Sequence, residues 1–202
     1  MSKLLPLPQS PSGFMGKLFG KLMEWTNIGA YQRAIETLAP APNDCLLEIG
    51  FGTGRCAELL LSAYPDIFVA GIDPTLTMVQ TAIDRLTKLC LRDRIDLREG
   101  SDADLPWDDN KFDAIIAIHC FQFWQDPDRS MSEINRVLRP NGRLVIVFRD
   151  HSVNPPAWLP NPISRSGNEI ELAIDLLKQH GYISVEHPAA GNSRVIRADR
   201  CV

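Results

Sequence analysis

The chain has 202 residues, 45% of them hydrophobic and 23% charged, the composition of a globular domain large enough to bury a core without disulfides or a structural metal. Twenty-five acidic against 21 basic side chains give a net charge of −4, the wrong sign for a surface that grips phosphate backbones, so no nucleic-acid partner is expected. The five cysteines, Cys45, Cys56, Cys90, Cys120 and Cys201, form neither a CxxC pair nor a zinc-spaced cluster, and they read as reduced thiols of a cytoplasmic protein with no metal site.

The opening stretch, MSKLLPLPQSPSG, is broken by prolines and lacks a signal-peptide cleavage site, and no apolar run reaches the roughly 18 residues of a membrane span. A loose arm and no stable membrane association are expected. Phe14, Met15, Leu18, Phe19, Leu22 and Met23 then recur at helical spacing opposite Lys17, Lys21 and Glu24, which predicts an amphipathic helix. Gly13, Gly16 and Gly20 weaken that helix by up to about 1 kcal/mol each, so it depends on packing, and a lid is its expected role. A second helix over Tyr31 to Leu38 stops at Pro40 and Pro42. Residues 1–42 are accordingly read as arm and helical lid, and 43–202 as the globular domain.

From Cys45 onward, strands and helices alternate. The strands are Cys45 to Ile49, Ile67 to Ile72, Arg94 to Arg98, Phe112 to Ile118 and Arg143 to Phe148; the helices are Arg55 to Ser62, Leu76 to Leu91 and Pro127 to Leu138. Ala114 to Ile118 and Leu144 to Phe148 are apolar on both faces, as strands inside a parallel sheet must be. This pattern predicts a doubly wound, Rossmann-like α/β sandwich of three layers. After the proline-rich HSVNPPAWLPNPISRSG come a helix from Glu169 to His180 and two strands, Tyr182 to Glu186 and Arg194 to Ala198, which form a closing hairpin.

The chemistry concentrates at the end of the first strand, where Glu48 leads into Gly50, Phe51, Gly52, Thr53 and Gly54 before a helix begins at Arg55. Such a turn lets backbone approach a ligand at the carboxyl edge of the sheet. The spacing is G-x-G-x-G; a dinucleotide fingerprint requires its third glycine where this chain has Arg55. Asp73 ends the second strand ahead of Pro74, placed either to accept ribose hydroxyls or to cap the next helix. The third strand ends in Glu99, Gly100, Ser101, Asp102, Ala103 and Asp104, a polar turn suited to an adenine edge or simply solvated.

In this order, LLEIGFGTGR, GIDPTLTMV, EGSDADLPWDDNKFDAI and INRVLRPNGRLVIV resemble the motifs of class I S-adenosylmethionine-dependent methyltransferases, in particular the compact small-molecule branch. The resemblance covers Cys45 to Phe148. It implies a seven-stranded, mainly parallel sheet of order 3-2-1-4-5-7-6, with S-adenosylmethionine as cofactor and S-adenosylhomocysteine as product. Gly50, Gly52 and Gly54 would then pass under methionine and ribose, with Phe51 between them, Glu48 would position the loop, and Asp73 with Pro74 would hold the ribose. Met78 would lie against the adenine or pack in the core. Ser101 and Asp102 stand where the family commonly has Asp and Ala, so either of them, beside Ala103, is a candidate for the adenine amine. Asn141 replaces a glycine in the turn before the fifth strand, a position asparagine tolerates.

His119 follows the fourth strand where the methyl group would be presented, as a general base or as a hydrogen-bonding strand cap. Phe121, Phe123, Trp124 and Trp158 are candidates for an apolar acceptor wall or for core packing, and Asn154 to Trp158 reads as a rigid pocket rim. The expected partner is a small-molecule methyl acceptor. Two other readings stand beside methyl transfer: a methyltransferase-like domain that binds without catalysing, and a nicotinamide-dependent oxidoreductase, which the glycine spacing disfavours.

Overall fold

A computed structural model of the chain describes residues 27–149, 167–190 and 193–201. The predicted helix at residues 14–25, the arm before it and the Asn154 to Trp158 rim lie outside the described residues. The first described element is helix α1, over 27–38. It extends further toward the amino terminus than the Tyr31 start read from the sequence. Strand β1 (Cys45–Ile49), helix α2 (Arg55–Ala63), β2 (Phe68–Asp73), α3 (Leu76–Lys88), β3 (Ile95–Glu99), β4 (Phe112–Ile118), α4 (Pro127–Val137), β5 (Leu138–Arg149), α5 (Gly167–Gln179), β6 (Tyr182–Ala190) and β7 (Ser193–Arg200) follow.

All seven strands join one sheet of order β3-β2-β1-β4-β5-β7-β6. Pairings from β3 to β5 are parallel, whereas β7 runs antiparallel to both β5 and β6. On one face Leu46, Ala114, Ile116, Val145 and Val147 pack under Ala34 and Leu38 of α1, Leu60 of α2 and Leu86 of α3. On the other, Leu47, Ile115, Leu144 and Ile146 meet Met131 and Ile134 of α4 and Ala173 and Leu177 of α5. Neighbouring residues of the central strands therefore point into different cores, and this is why those strands are apolar throughout.

The chain leaves β1 toward β2 on one side and returns to its other side as β4. The carboxyl ends of β1 and β4 thus flank the switch point, the crevice where ligands settle in sheets of this kind.

Two boundaries differ from the sequence reading for one physical reason: a non-glycine residue adopts the left-handed conformation. Helix α3 ends at Lys88 because Cys90, at φ 58, turns the chain, and the amides of Cys90 and Leu91 return to Thr87 O and Leu86 O. Strand β5 begins at Leu138, which pairs with Phe112; a register shift then carries the chain through Asn141, at φ 63, to the regular pairing that starts at Arg143.

Candidate functional site

Glu48 is the penultimate residue of β1, opposite Gly71 of β2 and Ile116 of β4. Only 3% of it is exposed. It accepts hydrogen bonds from the Ala57 amide and the Cys56 thiol at the start of α2, yet its Oε2 has no hydrogen-bond partner among the described residues. Burial, reinforced by the Asp73 carboxylate and opposed by those two bonds, pushes Glu48 up to about 8. A buried carboxyl group with one oxygen unpartnered is costly to the fold.

The loop that follows is held by backbone. Gly50 N–H donates to Ile72 O at 2.8 Å and Gly54 N–H to Phe51 O at 3.0 Å. Gly54 sits at φ 77, and a Cβ there would come within 2.8 Å of the Ala82 Cβ, so glycine alone lets α2 start against α3. Gly52, at φ 54, faces the other way: a Cβ built on it meets nothing within 4 Å, leaving an open cradle above the loop. Phe51 is buried, and its ring lies where a Gly71 side chain would be, so what it presents toward the cradle is backbone.

Asp73 unites the two roles left open by the sequence. Its Oδ2 accepts the Gly52 amide and its Oδ1 the Thr75 amide, each at 2.9 Å. One carboxylate thus pins the glycine loop and orders the entry to α3. Burial raises its pKa, and the Gly52 and Thr75 bonds oppose the rise. Pro74 is exposed, and Met78 is half-buried in the first turn of α3.

At the end of β3, Gly100 N–H reaches Asp73 O at 3.1 Å, tying the turn after β3 to the end of β2. Ser101 Oγ accepts the Ala103 amide at 3.1 Å, and the exposed Ser101 also bridges to Asp104. Asp102 is hydrogen-bonded by the fully buried Ser130 hydroxyl on α4. Further along, Arg136 of α4 donates to Leu105 O (2.9 Å), Trp107 O (2.8 Å) and Asp109 (2.9 Å) while paired with Glu133, which itself accepts the Leu105 amide. Ser130, Glu133 and Arg136 therefore fix the turn, and none was singled out from the sequence. Of the three, Arg136 alone lies in a motif quoted from the sequence, INRVLRPNGRLVIV.

His119, half-buried at φ 54, closes β4 with its amide on Val147 O at 2.9 Å. Its Nε2 lies 3.3 Å from Oγ of the buried Ser193, across β5 on β7. Nothing in the sequence marks Ser193. Cys120 sits under the glycine loop, its Sγ donating to Ile49 O at 3.1 Å, and burial pushes its thiol well above the ordinary value. Of the aromatic residues expected to wall an acceptor site, Phe121 and Trp124 turn into the core, their rings 4.8 Å apart, while Phe123 stays 49% exposed. Trp158 lies outside the described residues.

Fold and residues together place an acidic strand end, a three-glycine turn and a second acidic strand end at the switch point of a doubly wound sheet. Comparison with known proteins agrees. The methyltransferase-domain family model matches residues 47–146. An uncharacterized methyltransferase of Mycobacterium tuberculosis, Rv3342, is 31% identical over 162 residues, which is 74% of this chain and 62% of that protein. The demethylmenaquinone methyltransferase of Symbiobacterium thermophilum is 29% identical over 154 residues, 69% of this chain and 61% of its own length. Among solved structures, a SAM-dependent methyltransferase from Aquifex aeolicus superposes with a TM-score of 0.72 at 20% identity, covering 84% of this chain and 88% of that one. The chain belongs to the class I S-adenosylmethionine-dependent methyltransferases. Its matched segment spans under two thirds of these two curated relatives.

Proposed function

We propose that this chain binds S-adenosylmethionine and transfers its methyl group to a small-molecule acceptor. The observation that carries the reading is the convergence, at one sheet edge, of the half-satisfied Glu48, the open cradle above Gly52 and the Asp73 carboxylate that holds the loop. When bound, the cofactor supplies an activated methyl group on a sulfonium. In this reading Glu48 and the amides around Gly50, Gly52 and Gly54 receive the amino-acid part. Asp73, with Pro74 behind it, accepts the ribose hydroxyls through lone pairs its two amide bonds leave free. Met78 covers one adenine face, and the Ser101, Asp102 and Ala103 turn, braced by Ser130, reads its edge.

His119 faces the acceptor, and Ser193 lies within reach of its imidazole. Methyl transfer rests on in-line positioning and exclusion of water, so His119 serves as a base where the acceptor must lose a proton. Because one relative acts on demethylmenaquinone, reduced naphthoquinones belong in the first acceptor panel. The panel is run with methyl-labelled S-adenosylmethionine and the full chain, alongside small-molecule extracts. Label in an organic product supports the reading. Cofactor binding with no transfer to any acceptor moves the chain to the alternative, a binding domain without catalysis.

A further inference from the structure

Glu48, Asp73, the Ser101 turn and His119 all stand at the carboxyl ends of parallel strands. Ser193 reaches the same edge by another route. Because β7 runs antiparallel to β5, its first residue rather than its last arrives there, level with Arg149 at the end of β5. Ser193 is 7% exposed in that place.

Along β4 the side chains alternate, Ile115 and Ala117 in the core under α4 and α5, Ile116 and Ile118 in the core under α1 to α3. One residue further, the same alternation would send His119 into the core of α4 and α5. Its φ of 54 breaks the pattern. Two bonds hold the turn, from the His119 amide to Val147 O at 2.9 Å and from Gln122 Nε2 to His119 O at 2.6 Å. The ring is thereby directed toward β7, where its Nε2 lies 3.3 Å from Ser193 Oγ. Two residues on, Val195 belongs to the core under α1, so Ser193 shares that face. A left-handed residue other than glycine persists only where its surroundings over-determine it, and such residues gather where chemistry is done.

Resting on the reading of this edge as a methyl-transfer site with His119 toward the acceptor, we infer that Ser193 is the positioning residue for His119, and that β7 thereby completes the acceptor side of the site. A hydroxyl both donates and accepts, so it keeps hold of Nε2 whether the ring is neutral or protonated. While the ring is neutral, the same bond fixes which nitrogen carries the proton. Ser193 acts through His119 and makes no contact with the cofactor.

The test is nitrogen NMR of the full chain labelled at its histidines, at about pH 8, above the ordinary histidine value of about 6.5. His119→Gln assigns the His119 signals among those of the four histidines. The native ring should show one dominant tautomer. Ser193→Ala should move both ring-nitrogen signals toward the mixture of a free imidazole, and Ser193→Thr, which keeps the hydroxyl, should restore them. Melting curves establish that both variants are folded. Adding S-adenosylhomocysteine should shift the His119 signals of the native chain, and calorimetry should give Ser193→Ala an affinity for it within about twofold of the native one.

Ring signals unchanged in folded Ser193→Ala, or not restored in folded Ser193→Thr, would overturn the inference. So would His119 signals that S-adenosylhomocysteine leaves in place, since the ring would then lie outside the site. A larger loss of affinity in folded Ser193→Ala would do the same, by making Ser193 part of the cofactor's own contacts. A native chain that binds no S-adenosylhomocysteine is a different outcome, and it removes the reading of the site itself.

Discussion

Asp73 shows how one side chain serves two structural demands at once. Its Oδ2 bond to Gly52 reaches across 21 residues of sequence, and its Oδ1 bond to Thr75 is local. Asp73→Ala should weaken S-adenosylhomocysteine binding by about 1.5–3 kcal/mol, ten- to a hundredfold, the usual worth of hydrogen bonds to a charged group. Part of that loss comes from the freed glycine loop, so Asp73→Asn, which keeps one acceptor, should fall between. Titration of both variants checks this; native affinity in Asp73→Ala would reduce Asp73 to a helix-entry residue. The acidic strand ends, Glu48 and Asp73, were legible in the sequence because each stands a fixed step from a glycine or a proline. Ser130 and Ser193 were not, because their partners, Asp102 and His119, lie 28 and 74 residues away and only the fold brings them together.

Helix α4 holds the turn after β3 through Ser130, Glu133 and Arg136, and the arginine makes the most bonds. Arg136 ties the segment from Leu105 to Asp109 to the helix, and Trp107 is held further by its Nε1 bond to Asp96 and by the Arg98 guanidinium 5.0 Å from the centre of its ring. The hydrogen bonds that Arg136 donates to Glu133 and Asp109 hold it well above the ordinary arginine range, so it stays charged throughout. Because the side chain is about a third exposed, screening limits what its ion pairs contribute. Arg136→Ala should cost about 1–2 kcal/mol by chemical denaturation and speed amide exchange across 101–109, with cofactor affinity lowered several-fold. Unchanged exchange there would mean that the turn holds itself. At this scale, elements were readable wherever apolar spacing alone decides them, as in β4, whose ends match the reading. They were misread where Cys90 and Asn141 adopt a left-handed conformation that glycine usually signals.

Across the whole molecule, the order of β/α units places every cofactor candidate on one edge of the sheet. The loops after β1, β2, β3 and β4 supply Gly50 to Gly54, Asp73 to Met78, Ser101 to Ala103 and His119 in turn. That concentration was legible because parallel strands linked by helices must present their carboxyl ends together. The acceptor was not, since the described aromatic candidates divide between core, Phe121 and Trp124, and surface, Phe123. Among the described residues no helix is long and apolar enough to cross a membrane. The central claim is that this edge holds an adenosyl amino acid and not a dinucleotide, because Arg55 occupies the place of the third dinucleotide glycine. Calorimetric titration of the full chain with S-adenosylhomocysteine and with NAD tests it most directly. Saturable heat from S-adenosylhomocysteine and none from NAD is the predicted result; tight NAD binding with no heat from the adenosyl ligand would contradict the account.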